Sequence, residues 1–168
     1  MYVDNIRVEF DDEPTIMDVG RKAGVEMPNF CFHSDLSVYG ACRMCMVEDL
    51  DTGKIDAACT TKPKNGMRIR PNTSRLLKYR RMILELMLAS HCRDCTACEK
   101  NRSCRLQEMA VRFGIHHVHF NDTREHVPMD FSIPAVTLDP HNCILCRACV
   151  RVCNVVQGMS IVQLVGRA

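Results

Sequence analysis

No stretch of this sequence approaches the roughly twenty consecutive apolar residues that a membrane span requires. Residues 1–20 also lack a charged start followed by an apolar run and a small-residue cleavage site. A dominant charge is missing too: 22 Lys and Arg stand against 20 Asp and Glu, a formal net charge of +2. Such balance calls for neither a nucleic-acid nor an anionic membrane partner. Motifs for substrate chemistry are absent, since no nucleophile triad, paired carboxylates, phosphate-binding glycine loop or nicotinamide fingerprint is visible. These absences predict a soluble protein of the reducing cytoplasm with no catalytic site in the chain itself.

Cysteine is what the chain has in excess, at 12 in 168 residues. An even count permits disulfides, but without a sign of secretion the better reading is metal binding. Metal staples let small modules fold without a large core, so two or three small domains are expected.

The middle cysteine group organises the rest. Leu88-Ala-Ser-His-Cys-Arg-Asp-Cys-Thr-Ala-Cys-Glu-Lys-Asn-Arg-Ser-Cys104 parses as His91-x3-Cys95-x2-Cys98-x5-Cys104, or as an all-cysteine set that uses Cys92 in place of His91. Clustered thiolates select zinc, copper(I) or iron–sulfur clusters over hard cations.

Ahead of it, residues 1–71 read as a small mixed domain. Tyr2-Val3 and Ile6–Phe10 flank a turn-favouring Asp4-Asn5, and Ile6, Val8 and Phe10 alternate with Arg7 and Glu9 as in a half-buried strand. Pro14-Thr15 opens a helix that carries Ile16, Val19 and Ala23 on one face and stops at Gly24. Cys31, Cys42, Cys45 and Cys59 follow, in the pattern Cys-x10-Cys-x2-Cys-x13-Cys. Gly40 and Ala41 keep the intervening loop small, which lets backbone amides approach a cluster and donate to its sulfurs. Met44–Glu48 and Ile55–Cys59 flank Asp51–Lys54 as a second hairpin, so the later strand delivers the fourth ligand.

Thr73-Ser74 is an N-cap signal for a helix from Arg75 to Ala89, whose Leu76, Leu77, Ile83, Leu84, Met87 and Leu88 form a core stripe. A second short helix spans Cys104 to Arg112 and ends at Gly114. Interleaving of His116, His117 and His119 with Ile115, Val118 and Phe120 suits an extended segment with surface histidines, and His33, His126 and His141 are read alike. Lys62–Arg81 collects basic residues, as a solvated face or as a docking face for an acidic partner subunit. Pro128, Pro134 and Pro140 make 121–141 an extended connector.

The last group, Cys143-x2-Cys146-x2-Cys149-x3-Cys153, is the bacterial ferredoxin run for a 4Fe-4S cluster, in which the fourth cysteine ordinarily serves a neighbouring cluster. No second run follows, so either Cys153 is used differently or a partner supplies the ligand. A strand-like Ser160–Val165 comes after it. Structural zinc favours two spaced pairs of ligands, whereas Cys92/Cys95/Cys98 and Cys143/Cys146/Cys149 are triplets on tight loops. Triplets suit a cuboidal cluster better than a single ion.

The order of these modules resembles a known family. Tyr39-Gly-Ala-Cys-Arg-Met-Cys-Met-Val-Glu48, then His91-x3-Cys95-x2-Cys98-Glu-Lys-Asn-Arg-Ser-Cys104-Arg-Leu-Gln107, then Cys143–Cys153 is similar to the amino-terminal region of the large iron–sulfur subunit of complex I. The same region begins many iron-only hydrogenases, the small diaphorase subunit of NAD-linked hydrogenases, and subunits of electron-bifurcating complexes and NAD-linked formate dehydrogenases. The resemblance implies an α+β chain: a beta-grasp 2Fe-2S ferredoxin domain at 1–72 with ligands Cys31, Cys42, Cys45 and Cys59, and a helical module at 73–120. In that module His91, Cys95, Cys98 and Cys104 would hold a 4Fe-4S cluster and Cys92 would be spare. A linker at 121–141 and a partial 4Fe-4S ferredoxin-like module at 142–168 complete the division.

Family members usually continue with a second four-cysteine run and often a catalytic domain, which this sequence does not show. The fourth ligand beside Cys143, Cys146 and Cys149 is therefore Cys153, or a partner's side chain, or the site is three-iron or empty. The function implied is one-electron transfer between a flavin- and NAD(H)-binding subunit and another redox site, a hydrogenase, formate dehydrogenase or bifurcating flavin. Two other readings stand beside it, a free-standing soluble ferredoxin shuttle and a zinc-binding structural subunit.

Overall fold

A computed structural model describes residues 1–122 and 127–164. Two compact units form, one of Met1–Leu76 with the chain from Cys146 onward, the other of Leu77–Leu145. All twelve cysteines are free thiols.

In the first unit, β1 (Tyr2–Val3) and β2 (Ile6–Arg7) form an antiparallel hairpin. Its turn is tight because Asp4 and Asn5 both take left-handed φ, 48° and 68°, the geometry whose twist matches that of paired strands. The expected strand is shorter than its alternation suggests: pairing ends at Arg7 and Ile6 is exposed, while Val8 turns into the core and Phe10 packs against it. Helix α1 (Ile16–Lys22) starts where Pro14-Thr15 predicts, with Thr15 Oγ1 accepting from the Asp18 N–H at 3.3 Å. The first N–H groups of that helix donate to distant carbonyls, Ile16 to Thr61 at 2.9 Å and Met17 to Ala58 at 3.0 Å. Helix and post-hairpin segment are thereby bound together around Cys59.

β3 (Met46–Asp49) and β4 (Ile55–Ala57) make the second hairpin as expected. The strand that sequence periodicity missed is β5 (Arg68–Arg70), parallel to β1 and antiparallel to β3, which sets the sheet order β2-β1-β5-β3-β4. Its three residues sit inside the basic run, where Ile69 is buried and the flanking arginines point outward. That run is not one free face: Arg68 pairs with Asp51 at 2.8 Å, Arg75 with Glu48 at 3.6 Å, and Arg80 is buried. Val3, Ile16, Met17, Val19, Val47 and Ile69 form the core, which also includes Cys45 and Cys59.

The chain from Cys146 onward adds a short helix at Ala148–Arg151, numbered α4 after the two helices described next, and a single wider turn at Val152–Val156. No strand forms between Ser160 and Leu164, contrary to the pattern of that segment. The amides of Ile161 and Val162 donate to Cys153 Sγ at 3.2 and 3.4 Å, which withdraws them from ladder pairing.

Leading into the second unit, α2 (Ser74–Ala89) has its cap at Thr73, whose Oγ1 accepts from the Leu76 N–H at 3.3 Å. The buried stripe departs from an all-apolar one: Leu77 is exposed, and Arg80 lies between buried Leu76 and Leu84. α3 (Arg105–Arg112) ends at Gly114, whose φ of 64° is the left-handed stop. His116, His117 and His119 lie on an extended segment, all three exposed; His33 and His141 are also without a place in the core, and His126 lies outside the described residues. Residues expected to be a plain connector include a hairpin, β6 (Asp130–Ile133) and β7 (Val136–Leu138). No helix among the described residues is long and apolar enough to cross a membrane.

Candidate metal centres

The second hairpin explains the first cysteine group. Met46 lies opposite Ala57 in the register, so the residues at the open end, Cys45 and Cys59, emerge side by side away from the Asp51–Lys54 turn. Their sulfurs share a hydrogen bond that draws the Cys45 thiol down to about 7 and pushes Cys59 up. On the adjoining loop Cys31 and Cys42 meet with Sγ atoms 3.4 Å apart. Their shared bond pulls the Cys31 thiol down to about 5 and drives Cys42 up. Each pair therefore shares a proton between two sulfurs, and a metal ion that displaces it finds both in place.

Backbone amides complete the cradle. The Phe30 N–H donates to Cys42 Sγ at 3.4 Å and the Cys42 N–H to Cys31 Sγ at 3.5 Å, with the amides of Ala41 and Met44 acting on the same two sulfurs. The loop gets this close because Gly40 is left-handed at φ 71° and a Cβ there would lie 2.7 Å from Thr60 Cγ2. Among the described residues no three Cys, His, Asp or Glu side chains converge as they would on one ion. Two pairs of sulfurs instead match a dinuclear 2Fe-2S cluster, whose irons each take two thiolates. The donor set fits the group.

The second group lies between α2 and α3. His91 follows the end of α2, and its Nδ1 lies 2.5 Å from the Cys92 carbonyl oxygen. A carbonyl only accepts, so Nδ1 carries the proton and Nε2 is the nitrogen left for a metal. Cys104 is the N-cap of α3 but makes no capping bond with its side chain, so its sulfur is not committed to the helix. Cys95 is exposed and Cys98 half-buried in the intervening turns, and the Cys92 N–H is anchored on the His141 carbonyl at 2.7 Å. The donor types here, one imidazole and three thiols with Cys92 next to His91, suit a cluster, but among the described residues the structure does not bring three of them together.

Of the last group, Cys143 belongs to the second unit and its sulfur accepts from the Leu145 N–H at 3.4 Å. Cys146, Cys149 and Cys153 belong to the first unit, on and around α4. Cys153 is buried, and its sulfur accepts from the amides of Ile161 and Val162. Two residues near these cysteines escaped sequence reasoning. Arg147 stacks 4.8 Å over the Tyr39 ring, and buried Arg151 donates to the carbonyls of Ser37 and Cys31. Nothing in a one-dimensional pattern marks an arginine inside a cysteine run as a partner of a loop more than a hundred positions earlier.

The same cysteine groups recur in known proteins. Residues 1–74 match the 2Fe-2S iron-sulfur cluster binding domain, and residues 80–119 match the NADH-ubiquinone oxidoreductase-G iron-sulfur binding region. An NADH-quinone oxidoreductase subunit of Rickettsia typhi is 30% identical over 99% of this chain, and the NADH-ubiquinone oxidoreductase 75 kDa subunit of Reclinomonas americana is 34% identical over 99%. A chain in the crystal structure of an NAD+-reducing NiFe-hydrogenase in the H2-reduced state superposes with a TM-score of 0.90 at 31% identity, covering 99% of this chain and 70% of its own. The chain belongs to this family of iron–sulfur subunits. Its two matched regions are a 2Fe-2S cluster binding domain and a 4Fe-4S iron–sulfur binding region of that family. It spans about a quarter of the length of the two oxidoreductase relatives.

Proposed function

We propose that the chain carries electrons through three centres: a 2Fe-2S cluster on Cys31, Cys42, Cys45 and Cys59, a 4Fe-4S cluster on His91, Cys95, Cys98 and Cys104, and a second 4Fe-4S cluster on Cys143, Cys146 and Cys149 with Cys153 or a partner side chain as fourth ligand. The observation that carries this reading is the pairing of Cys31 with Cys42 and of Cys45 with Cys59. Division into a beta-grasp domain, a helical module and a ferredoxin-like end is part of the same proposal, supported by the parallel pairing of β1 with β5 and by the two family matches. When bound, the clusters supply reversible one-electron chemistry. The chain's own residues present thiolates in pairs, leave Nε2 of His91 unprotonated, donate amides to Cys31, Cys42, Cys143 and Cys153, and bury Cys31, Cys45, Cys59 and Cys153 away from water. Amide donation and burial are the two levers by which a protein sets a cluster's potential.

The partners proposed are a flavin- and NAD(H)-binding subunit on one side and a second redox subunit on the other, in a cytoplasmic complex. Support comes from the activities that the relatives' names carry, NADH–quinone oxidoreductase and NAD+-reducing hydrogenase. The test is iron and acid-labile sulfide per chain, with electron paramagnetic resonance on the reduced protein and its co-purifying subunits. About ten iron atoms means all three centres are filled, and about six means the last is not. A colourless protein that holds zinc would end the proposal.

A further inference from the structure

Arg151 is buried at 6% exposure on α4, yet no carboxylate among the described residues pairs with it. Its Nη1 donates to the Ser37 carbonyl at 2.5 Å and its Nη2 to the Cys31 carbonyl, while Nε is buried without a partner. Carbonyl dipoles offset part of the desolvation of a guanidinium, but a full positive charge in a closed interior calls for a negative one. The loop it grips begins at Cys31, whose sulfur is paired with that of Cys42. Four thiolates outweigh the positive charge of a 2Fe-2S core in both oxidation states, and reduction adds one more negative charge to the same place.

We infer that Arg151 is the counter-charge and positioning residue of the first centre, supplied from the helix that carries the last cysteine group: its guanidinium fixes the Cys31–Ser37 loop and favours the reduced, more negative state. The inference rests on Cys31, Cys42, Cys45 and Cys59 being the ligands proposed above. It adds a link that the ligand set does not contain. α4 lies within the Cys146–Cys153 run and carries Cys149, so the same short helix that presents a ligand of one centre holds the charge that tunes another.

The experiment uses the full chain, reconstituted with iron and sulfide, and follows the 2Fe-2S signal by redox titration at temperatures where faster-relaxing 4Fe-4S signals have broadened away. Arg151→Gln keeps amide donors but removes the charge; Arg151→Lys keeps the charge but loses the two-pronged grip. The expected results are a lower midpoint potential for Arg151→Gln, and for Arg151→Lys a near-unchanged potential with faster cluster loss to a chelator. An unshifted potential in Arg151→Gln overturns the inference. If Arg151→Gln fails to load, Arg151→Lys decides: loading at the original potential upholds the charge role, and failure as complete as that of Arg151→Gln overturns it. A parent chain without a 2Fe-2S signal would instead sink the ligand assignment, which separates the two failures.

Discussion

His91 turns its Nδ1 onto the carbonyl oxygen of Cys92, its own neighbour, at 2.5 Å. That bond supports the proposed use of His91 over Cys92, because it orients the imidazole with Nε2 outward and engages the Cys92 backbone. His91→Ala is expected to cost about four iron atoms per chain, whereas Cys92→Ser leaves the iron count unchanged. His91→Cys should retain the cluster at a lower potential, since a thiolate adds negative charge where the imidazole is neutral. Iron analysis and a redox titration check all three.

The Cys45–Cys59 pair makes a second prediction. Cys59→Ala removes one sulfur of a pair held at the mouth of the β3–β4 hairpin, and the loss expected is the 2Fe-2S signal with the 4Fe-4S signals retained. Loss of every signal together would point to collapse of the fold rather than of one centre, and circular dichroism of the cluster-free chain distinguishes the two.

Gly40→Ala tests the loop over Cys31 and Cys42. A left-handed φ costs a non-glycine residue about 1–2 kcal/mol, and here the new Cβ also meets Thr60 Cγ2 at 2.7 Å. Destabilisation should exceed the conformational cost alone in urea unfolding. Thr60→Ser, which deletes the clashing methyl, is expected to recover the excess and no more.

Glu85 and His119 give a pH dependence. His119 Nδ1 lies 2.8 Å from Glu85 Oε2, and this bond holds the Glu85 carboxyl below its ordinary range. A depressed carboxylate stabilises the fold above its normal titration range and loses that contribution as pH falls through the lowered value. Thermal melts should therefore show a decline on acidification that Glu85→Gln reduces. Identical acid profiles for the two proteins would mean that the pair adds nothing to stability.

The approach of Cys31 to Cys42 and of Cys45 to Cys59 was legible in the sequence because a tight Cys-x2-Cys loop and a hairpin are local features. Caps were legible for the same reason, as at Thr15, Thr73 and Gly114. What escaped depends on distant chain. β5 is three residues with one buried side chain, too short for any period to register, and it is a strand only because β1 and β3 flank it. Arg80 looked like a surface position until its neighbours at Leu76 and Leu84 proved buried. Ser160–Leu164 had the composition of a strand but spends its amides on Cys153.

β5 also dictates an order of events during synthesis. It is the last strand of its sheet to be made and the one that joins β2-β1 to β3-β4. Before Arg70 leaves the ribosome the nascent chain holds all four cysteines of the first group and two hairpins not yet joined in one sheet. Pairing across more than sixty residues is slow to nucleate, so this interval exposes reactive thiols. A cell that delivers iron and sulfide after this closure meets a preformed site, and one that delivers them earlier must contend with thiols still free to react elsewhere.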